Sequence, residues 1–483
     1  MINENSTIQF LLNDKQVSIN YNQVNNFSPT TTVLQYLRNL PQTKGTKEGC
    51  AEGDCGACSV VIVSLNVENK LEYKAYDSCL LFLPMLHGKQ LITVEYLKSK
   101  NELHAVQQAM VDTDGSQCGF CTPGFIMSLF ALYKNSKNPS REEIDDALTG
   151  NLCRCTGYRP IIDAAIKSCS NHRQDHISEN EFEVIEQLQK INQLKETNSF
   201  FTATQKYHKP HALADALKLK FSFPQALVVS GATDVALRVT KKHELLTEII
   251  DISGVEELKN RIEENDRIYF GAGLNLEDVR LKTENSLPAL HKMLNVFGSR
   301  QIRNRGTLGG NVANASPIGD MPPVLMAHNA SVILESIYGK RELKLTEFIT
   351  GYRTTQLKPT EIITGIKIPK PDKNIILQSY KISKRKDLDI STVSAGFSLQ
   401  LNNESIVVDI KMYYGGMAAT TKEPLQTKQF LIGKKWERKT IEEAMQLIDQ
   451  EFTPISDARS GAEARKIMAR NLLLKFWTET KIK

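Results

Sequence analysis

No cysteine occurs after Cys169, so the larger part of this 483-residue chain can hold neither a thiolate metal centre nor a disulfide. Residues Met1 to Asn20 contain no uninterrupted apolar run, and no later stretch approaches the roughly 18 apolar residues of a membrane span. A signal peptide, a stop-transfer segment and a membrane partner are therefore not expected, and the cytoplasm is the expected compartment. Lys and Arg number 60 against 55 Asp and Glu, a formal net charge of +5. So small and scattered an excess leaves no electrostatic footprint for nucleic acid. Also absent is any G-x-G-x-x-G, the usual dinucleotide fingerprint.

What is there is a chain of about three domains by length. Its 41% hydrophobic and 24% charged residues are those of a globular protein. Nine cysteines lie between Cys50 and Cys169. With no export signal and a large core, a disulfide framework is disfavoured and metal ligation is the better reading. Eight of the nine form two groups of four.

The first group is Cys50, Cys55 and Cys58 in GCAEGDCGACSV, with Cys79 in DSCL. The spacing C-x4-C-x2-C plus a distant cysteine is the plant-type pattern for a [2Fe-2S] cluster, in which each of two irons takes two thiolates. Gly49, Gly53 and Gly56 suit a loop that must turn its amides towards an anionic cluster. The alternative is a structural zinc site, which more often uses paired C-x2-C knuckles. Around the loop, IQFLL and QVSI read as a hairpin turning at Asn13-Asp14, Thr32 to Leu40 as a short helix, and Val60 to Leu65 as a β-branched strand.

The second group is Cys118 and Cys121 in QCGFCTPG, with Cys153 and Cys155 in NLCRCTGYRP. Helical patches at Val94 to Lys98 and His104 to Met110, an apolar helix Phe125 to Tyr133, a capping box from Ser140 to Glu143, and a helix Ile161 to Cys169 predict a small bundle with cysteines at helix starts. Cys153 and Cys155 reach one centre only from a tight loop, with Arg154 pointing away. Zinc is again the alternative, and Cys169 is a small buried residue without a role.

Ser170 to Ser199 is polar and has neither glycine nor proline. It reads as a solvated connector with a short helix around Val184 to Leu194, and His172 and His176 as surface residues rather than a metal pair. A helix from His211 to Leu219 follows. A strand, Ala226 to Val229, then runs into Ser230, Gly231, Ala232, Thr233, Asp234 and Val235, a small-residue turn whose amides can meet a pyrophosphate. Between Arg303 and Asp320, RNRGTLGGNVANASPIGD concentrates glycine and hydrogen-bonding side chains suited to phosphate and to ribityl or ribose hydroxyls. Tyr413 to Ala418 brings glycine again to the end of a strand. Four strand-like segments within Ile362 to Tyr414, and helices at Ile441 to Ile448 and Ala462 to Phe476, predict an antiparallel sheet with helices at the C-terminal end. Arg459, Arg465 and Arg470 read as a charged outer helix face. Lys384, Arg385 and Lys386 form a basic run that suits an anionic nucleotide or a solvated loop equally.

These motifs resemble the molybdenum hydroxylase family over about residues 5 to 170 and 200 to 480. The resemblance implies a multidomain α+β chain: a β-grasp ferredoxin-like domain (5–85), a four-helix iron-sulfur domain (86–169), a linker (170–199), a two-subdomain α/β FAD-binding domain of vanillyl-alcohol-oxidase type (200–375), and a C-terminal α+β domain with an antiparallel sheet (376–483). It implies one [2Fe-2S] cluster on Cys50, Cys55, Cys58 and Cys79 and another on Cys118, Cys121, Cys153 and Cys155, with Gln117 near the pterin of a molybdenum cofactor on a different domain. For FAD it implies pyrophosphate loops at Val229 to Val235 and at Leu308, Gly309, Gly310 and Asn311 with Ser316. Asp320 would bond the ribityl chain, and Phe297 would lie near the flavin, or else be an ordinary core aromatic. DARSGAEARKIMARNLL resembles the end of the family's flavin subunit.

The family's molybdopterin region has no counterpart among these residues. No residue for purine hydroxylation is expected here, and the resemblance implies a separate large molybdopterin-binding subunit in an α2β2 heterotetramer. Iron-sulfur before flavin in one chain resembles the small subunits of bacterial xanthine-oxidising members, whereas carbon monoxide and nicotine dehydrogenase relatives divide these domains between chains. That order implies electron transfer from molybdenum through both clusters and FAD to NAD+, in oxidation of hypoxanthine and xanthine to urate. An equivalent subunit acting on another heterocycle or an aldehyde, and a zinc-stabilised scaffold without activity, are the alternatives.

Overall fold

The computed structural model describes residues 6–23, 27–99, 102–170, 172–193 and 197–481. Two compact units divide the chain. The first comprises Met1–Leu219, Gln225–Val255 and Ser299–Gly306, the second Lys220–Pro224, Glu256–Gly298 and Thr307–Lys483.

In the first unit, β1 (Thr7–Leu12) and β2 (Lys15–Asn20) form the expected hairpin, with Asn13 at φ 60° in its turn. Asn tolerates that left-handed conformation better than most residues. Helix α1 (Val33–Asn39) starts at a capping box between Thr32 and Gln35 and buries Val33, Leu34 and Leu37. Strands β3 (Ser59–Leu65), β4 (Leu71–Asp77) and β5 (Gln90–Ile92) complete a mixed sheet of order β2-β1-β5-β3-β4, in which β1 and β5 run parallel. This is the β-grasp arrangement, and it leaves the first cysteine loop between α1 and β3.

Four helices follow: α2 (Ala105–Asp112), α3 (Thr122–Asn135), α4 (Arg141–Leu148) and α5 (Arg159–Ser170). Helix α3 begins with Pro123 in its first turn, and α4 begins at the predicted Ser140–Glu143 capping box. Phe125, Phe130 and Ile161 pack with Val61 and Tyr73, so the bundle and one face of the sheet share a core. Cys169 is buried there, as expected.

The expected solvated connector is instead a packed strap. Helices α6 (His176–Glu179) and α7 (Glu181–Ile191) occupy it, and Val184, Leu188 and Ile191 are buried with Leu11. Leu194, the expected helix end, lies outside the described residues. The strap is pinned by Asp175, which meets His104 Nε2 at 3.0 Å and Lys134 Nζ at 3.1 Å. Burial alone would raise the Asp175 carboxyl, but the His104 hydrogen bond and the Lys134 charge hold it well below the usual carboxylate range. His172 stacks on Tyr133 at 4.1 Å while His176 Nε2 lies 3.0 Å from the Tyr96 carbonyl, so these two histidines have separate partners. Spacing missed this because four apolar residues among many charges, Ile177 of α6 with the three of α7, define a narrow buried surface.

Past the strap, β6 (Asn198–Phe201), β7 (Lys206–Lys209), α8 (Leu213–Ser222), β8 (Leu227–Val229), α9 (Ala236–Thr240) and β9 (Glu248–Asp251) follow, the strands pairing in the order β6-β7-β9-β8. Phe200, Tyr207, Val229 and Ile249 join Phe10, Leu37 and Phe82 in one continuous core.

The second unit contains β10 (Arg261–Glu263), β11 (Arg267–Gly271), α10 (Leu276–Thr283) and α11 (Pro288–Leu294). After α12 (Arg300–Arg303), which belongs to the first unit, come α13 (Leu308–Ala313), α14 (Met321–Ala327), β12 (Ser331–Ser336), β13 (Gly339–Lys344), α15 (Leu345–Phe348), β14 (Ile349–Gly351), β15 (Thr354–Thr355) and β16 (Ile362–Pro369). Their main sheet is antiparallel, in the order β10-β11-β16-β12-β13. A second antiparallel sheet, β17 (Ile375–Ile382), β18 (Val393–Leu401) and β19 (Val407–Gly415), packs with α16 (Leu425–Leu431), α17 (Arg438–Glu451) and α18 (Ala462–Thr480) around Phe397, Tyr414, Ile441 and Phe476. No helix among the described residues is long and apolar enough to cross a membrane.

One arginine of α18 departs from the outer-face reading. Arg465 is 1% exposed and donates to the carbonyls of Thr392 and Gly416 and to Asp457. Arg470 pairs with Asp449 at 2.7 Å, and Arg459 is half-buried, 3.6 Å from Asp457. Period alone cannot tell a buried donor from a solvated one, because the hydrogen-bond acceptors come from distant strands. Arg465→Met should cost about 3 kcal/mol, since it strands buried acceptors; an unchanged urea midpoint would refute this. Burial pushes the His328 imidazole down to about 4. The folded protein keeps it neutral while the unfolded chain protonates below about 6.5, so stability falls as pH drops through that window. The expected His328 contribution is about 1.4 kcal/mol per pH unit between about 6.5 and about 4, and His328→Leu should lessen the slope by that amount in denaturation titrations, while His87 and His208, also pushed down by burial, keep theirs.

Candidate functional site

The eight cysteines come together two by two. In the first loop the free thiols of Cys50 and Cys55 share a hydrogen bond, as do those of Cys58, on the approach to β3, and Cys79, just past the end of β4. Positive φ at Ala51, Gly53 and Gly56 coils the loop so that the amides of Glu52, Asp54 and Cys55 all point at Cys50 Sγ, each at 3.4 Å. Hydrogen bonding from Cys55, aided by those amides against the opposing effect of burial, pulls the Cys50 thiol down to about 5. The same pairing pushes Cys55 up, and in the buried pair Cys79 rises while Cys58 falls.

The second group repeats this pattern. Cys118 pairs with Cys155, both exposed, and Cys121 with Cys153, both half-buried. Cys121 caps α3, and burial, with the Cys153 hydrogen bond behind it, pushes its thiol up to about 12. Cys153 lies 3.2 Å from Thr156 Oγ1, and its amide donates to Tyr158 Oη at 3.1 Å. Positive φ at Gly157 and Tyr158 makes the tight loop that C-x-C requires. Arg154 is exposed, as expected.

Two pairs of thiols with amides turned inward have the chemistry that an anionic binuclear iron-sulfur centre needs, in which each metal takes two sulfurs. Cys58→Ser and Cys121→Ser should each lower iron from about four to about two per chain; full iron in either would sink the pairing.

The residues expected at a flavin fall in two places. In the first unit β8 ends at Val229, and Ser230 to Val235 turn into α9, with Ala232 at φ 63°. Arg305 donates to the carbonyls of Gly231 at 3.2 Å and Ser230 at 3.4 Å, and a β-carbon on Gly231 would lie 2.1 Å from the Arg305 carbonyl. Thr233, Asp234 and Val235 are half-buried. The turn is thus clamped from behind by an arginine that sequence reading did not single out.

In the second unit Thr307 caps α13, accepting from Gly310 N at 3.1 Å. Leu308 and Gly309 donate to the carbonyls of Leu274 and Ala272, which seats the helix start on that turn. Asn311 Oδ1 is buried and without a partner, an acceptor a bound group could satisfy. Ser316 is half-buried; Asp320 is buried and takes hydrogen bonds from Lys381 Nζ at 2.9 Å and from Ser391. Lys381 is itself buried, donates to the Val296 carbonyl at 3.0 Å, and holds its ammonium 6.0 Å from the centre of the half-buried Phe297 ring. Lys381 and Ser391 were invisible in the sequence, because one lies within a strand and the other follows a loop without a motif. The donor and acceptor set fits a ribityl and phosphate ligand: a buried carboxylate with its charge balanced, an orphaned amide oxygen, and a small-residue helix start.

The first cysteine loop lies beside the clamped turn's own segment. Lys241, just past α9, donates to the Cys50 carbonyl at 3.1 Å and pairs with Glu52 at 3.4 Å, and a β-carbon on Gly53 would meet Ile302 at 3.0 Å. The second group faces outwards, with Gln117, Cys118, Phe120 and Cys155 exposed. The basic run is spoken for in part, since Lys384 donates to the Ala458 carbonyl and Arg385 pairs with Asp389.

Four domain families match the chain in order. They are described as 2Fe-2S iron-sulfur cluster binding domain over residues 19–81, [2Fe-2S] binding domain over 93–166, FAD binding domain in molybdopterin dehydrogenase over 200–371, and CO dehydrogenase flavoprotein C-terminal domain over 378–480. The chain is 32% identical over 528 residues to xanthine dehydrogenase of Emericella nidulans, covering 98% of this chain and 38% of that protein. With xanthine dehydrogenase of Calliphora vicina it is 33% identical over 531 residues, covering 98% and 39%. It therefore spans about two fifths of the length of these relatives. Among solved structures, Cu,Mo-CO dehydrogenase in its cyanide-inactivated form superposes with a TM-score of 0.53 at 24% identity, over 57% of this chain and 97% of that one. Quinoline 2-oxidoreductase from Pseudomonas putida 86 gives 0.53 at 22%, over 58% and 97%. At these identities the likeness is one of fold.

Proposed function

Since the chain belongs, through four matched domains in order, to the iron-sulfur and flavin part of the molybdenum hydroxylase family, we propose that it is the electron-transfer subunit of a xanthine dehydrogenase. It is an oxidoreductase chain with two [2Fe-2S] domains and an FAD-binding domain, in segments we bound at 5–85, 86–169, 200–375 and 376–483. In this reading Cys50, Cys55, Cys58 and Cys79 hold one cluster, and Cys118, Cys121, Cys153 and Cys155 the other. Val229 to Val235, Leu308 to Asn311, Ser316, Asp320 and Phe297 hold FAD. When bound, the clusters pass electrons singly and the flavin exchanges them in pairs, so the chain converts a two-electron oxidation into a two-electron reduction of NAD+.

The observation that carries this reading is the order of the two groups. The first lies against the Ser230–Lys241 segment through Lys241, while Gln117, Cys118 and Cys155 of the second are exposed. An exposed thiolate pair beside an exposed glutamine suits docking of a large molybdopterin-binding subunit, in an α2β2 assembly in the cytoplasm, which would hydroxylate hypoxanthine and xanthine to urate. The residues of this chain contribute binding and orientation: Asp320 with Lys381 sets a fixed acceptor for hydroxyls, and Arg305 stiffens the Ser230–Gly231 turn.

Copurification from the native cell with metal and flavin analysis tests this. The expected complex has a large molybdenum-containing partner with about four irons and one FAD per small chain. It reduces NAD+ with xanthine faster than with other heterocycles or aldehydes. Iron and FAD with no molybdenum partner would sink the assembly, and preference for another heterocycle would move the assignment within the family.

A further inference from the structure

Between the two cysteine groups lies a buried polar junction. Asn151, two residues before Cys153, donates from Nδ2 to the Gly56 carbonyl at 3.1 Å and to Ser59 Oγ at 3.3 Å. Its Oδ1 accepts from Ser128 Oγ at 2.7 Å and from Gln301 Nε2 at 3.0 Å. All four hydrogen-bonding positions of the amide are thus used, which leaves the side chain a single orientation. Gln301 Nε2 also reaches Ser128 Oγ at 2.9 Å, closing a three-membered network. Asn151, Ser128 and Gln301 are 2%, 1% and 1% exposed. They come from the second cysteine loop, from α3 and from α12, and together they grip the carbonyl of Gly56, the residue after Cys55.

The next peptide makes the connection that this network holds. Leu152 N donates to the Cys55 carbonyl at 3.0 Å. Cys153 and Cys55, one from each group, are therefore joined by the Leu152 peptide and one hydrogen bond. There is no slack around it: a β-carbon on Gly56 would lie 2.2 Å from the Gly150 carbonyl, and one on Gly124 would lie 2.1 Å from the Gly56 carbonyl.

We propose that Asn151, braced by Ser128 and Gln301, is the positioning residue for electron passage between the two groups, holding the Leu152 N–H to Cys55 carbonyl hydrogen bond as the route. The proposal rests on the reading that each group carries a [2Fe-2S] cluster. One electron passes from the reduced second centre to the oxidised first; no bond forms or breaks and no proton moves.

The test uses the full chain with its cofactors. Asn151→Leu removes every bond of the amide. Gln301→Met removes only the brace, leaving both bonds from Asn151 Nδ2 to the first cysteine loop in place. Each protein is assayed for iron, reduced fully with dithionite for electron paramagnetic resonance of the spin-spin splitting between the centres, and followed after flash reduction for the rate of transfer between them. With full iron, Asn151→Leu should alter the splitting and slow the transfer about tenfold or more, as positioning errors below about 1 Å do elsewhere, and Gln301→Met should slow it about threefold. Unchanged rate and splitting in either iron-replete variant overturns the proposal. If Asn151→Leu fails to retain iron, Gln301→Met alone decides. A wild-type chain without two [2Fe-2S] signals overturns the cluster reading instead.

Discussion

Two loops in the first unit meet where there is no room for a β-carbon, and much of that unit follows from this closeness. Gly56 has φ 67°, and its carbonyl is enclosed by Gly124, Asn151 and Ser59. A larger residue would have to push apart backbone that is hydrogen-bonded on both sides. Because the loops cannot separate, the start of α3 and the C-x-C loop are seated on the β-grasp sheet through one shared core. That core brings Phe125 and Phe130 against Val61 and Tyr73. The cysteine pairs inherit their places from these contacts rather than from the cysteines themselves.

Charge burial does the rest of the fixing. Arg303 is fully buried and pairs with Asp146 of α4, with Arg300 on the same carboxylate. Lys381 and Asp320 form an inward pair in the second unit, and Arg465 holds Thr392, Gly416 and Asp457 together. Such pairs add little net stability, because desolvation offsets attraction. Their effect is selective: an arrangement that separated α12 from α4, or α18 from the Thr392 strand end, would leave a charge buried and alone. The segments so joined lie far apart in sequence.

The strap shows the same logic with weaker signals. Its composition reads as solvent-exposed, and on most of its surface it is. Four apolar residues and one carboxylate dock it: Val184, Leu188 and Ile191 supply a stripe, Ile177 enters the bundle core, and Asp175 finds Lys134 and His104. Burial of four aliphatic side chains contributes several kcal/mol, which outweighs the solvation preference of the polar face because that face stays wet.

Local chemistry made much of the chain legible in advance. The hairpin at Asn13, the Ser140 capping box, Pro123 opening α3 and the alternating strands of the C-terminal sheet all depend on neighbours within a few residues. So does the cysteine spacing, since a loop that coils amides around sulfur is a local object. What the linear order could not disclose is anything that needs two distant segments at once. Arg305 behind the Ser230–Gly231 turn, Lys381 against Asp320, Asn151 between Gly56 and Gln301, and the inward turn of Arg465 are of this kind. The residues proposed to hold cofactors were announced by motif, because such spacing is set by a ligand; those that hold the motifs in place were decided by the tertiary fold, because a buried hydrogen bond selects whichever partner the packed backbone brings within reach.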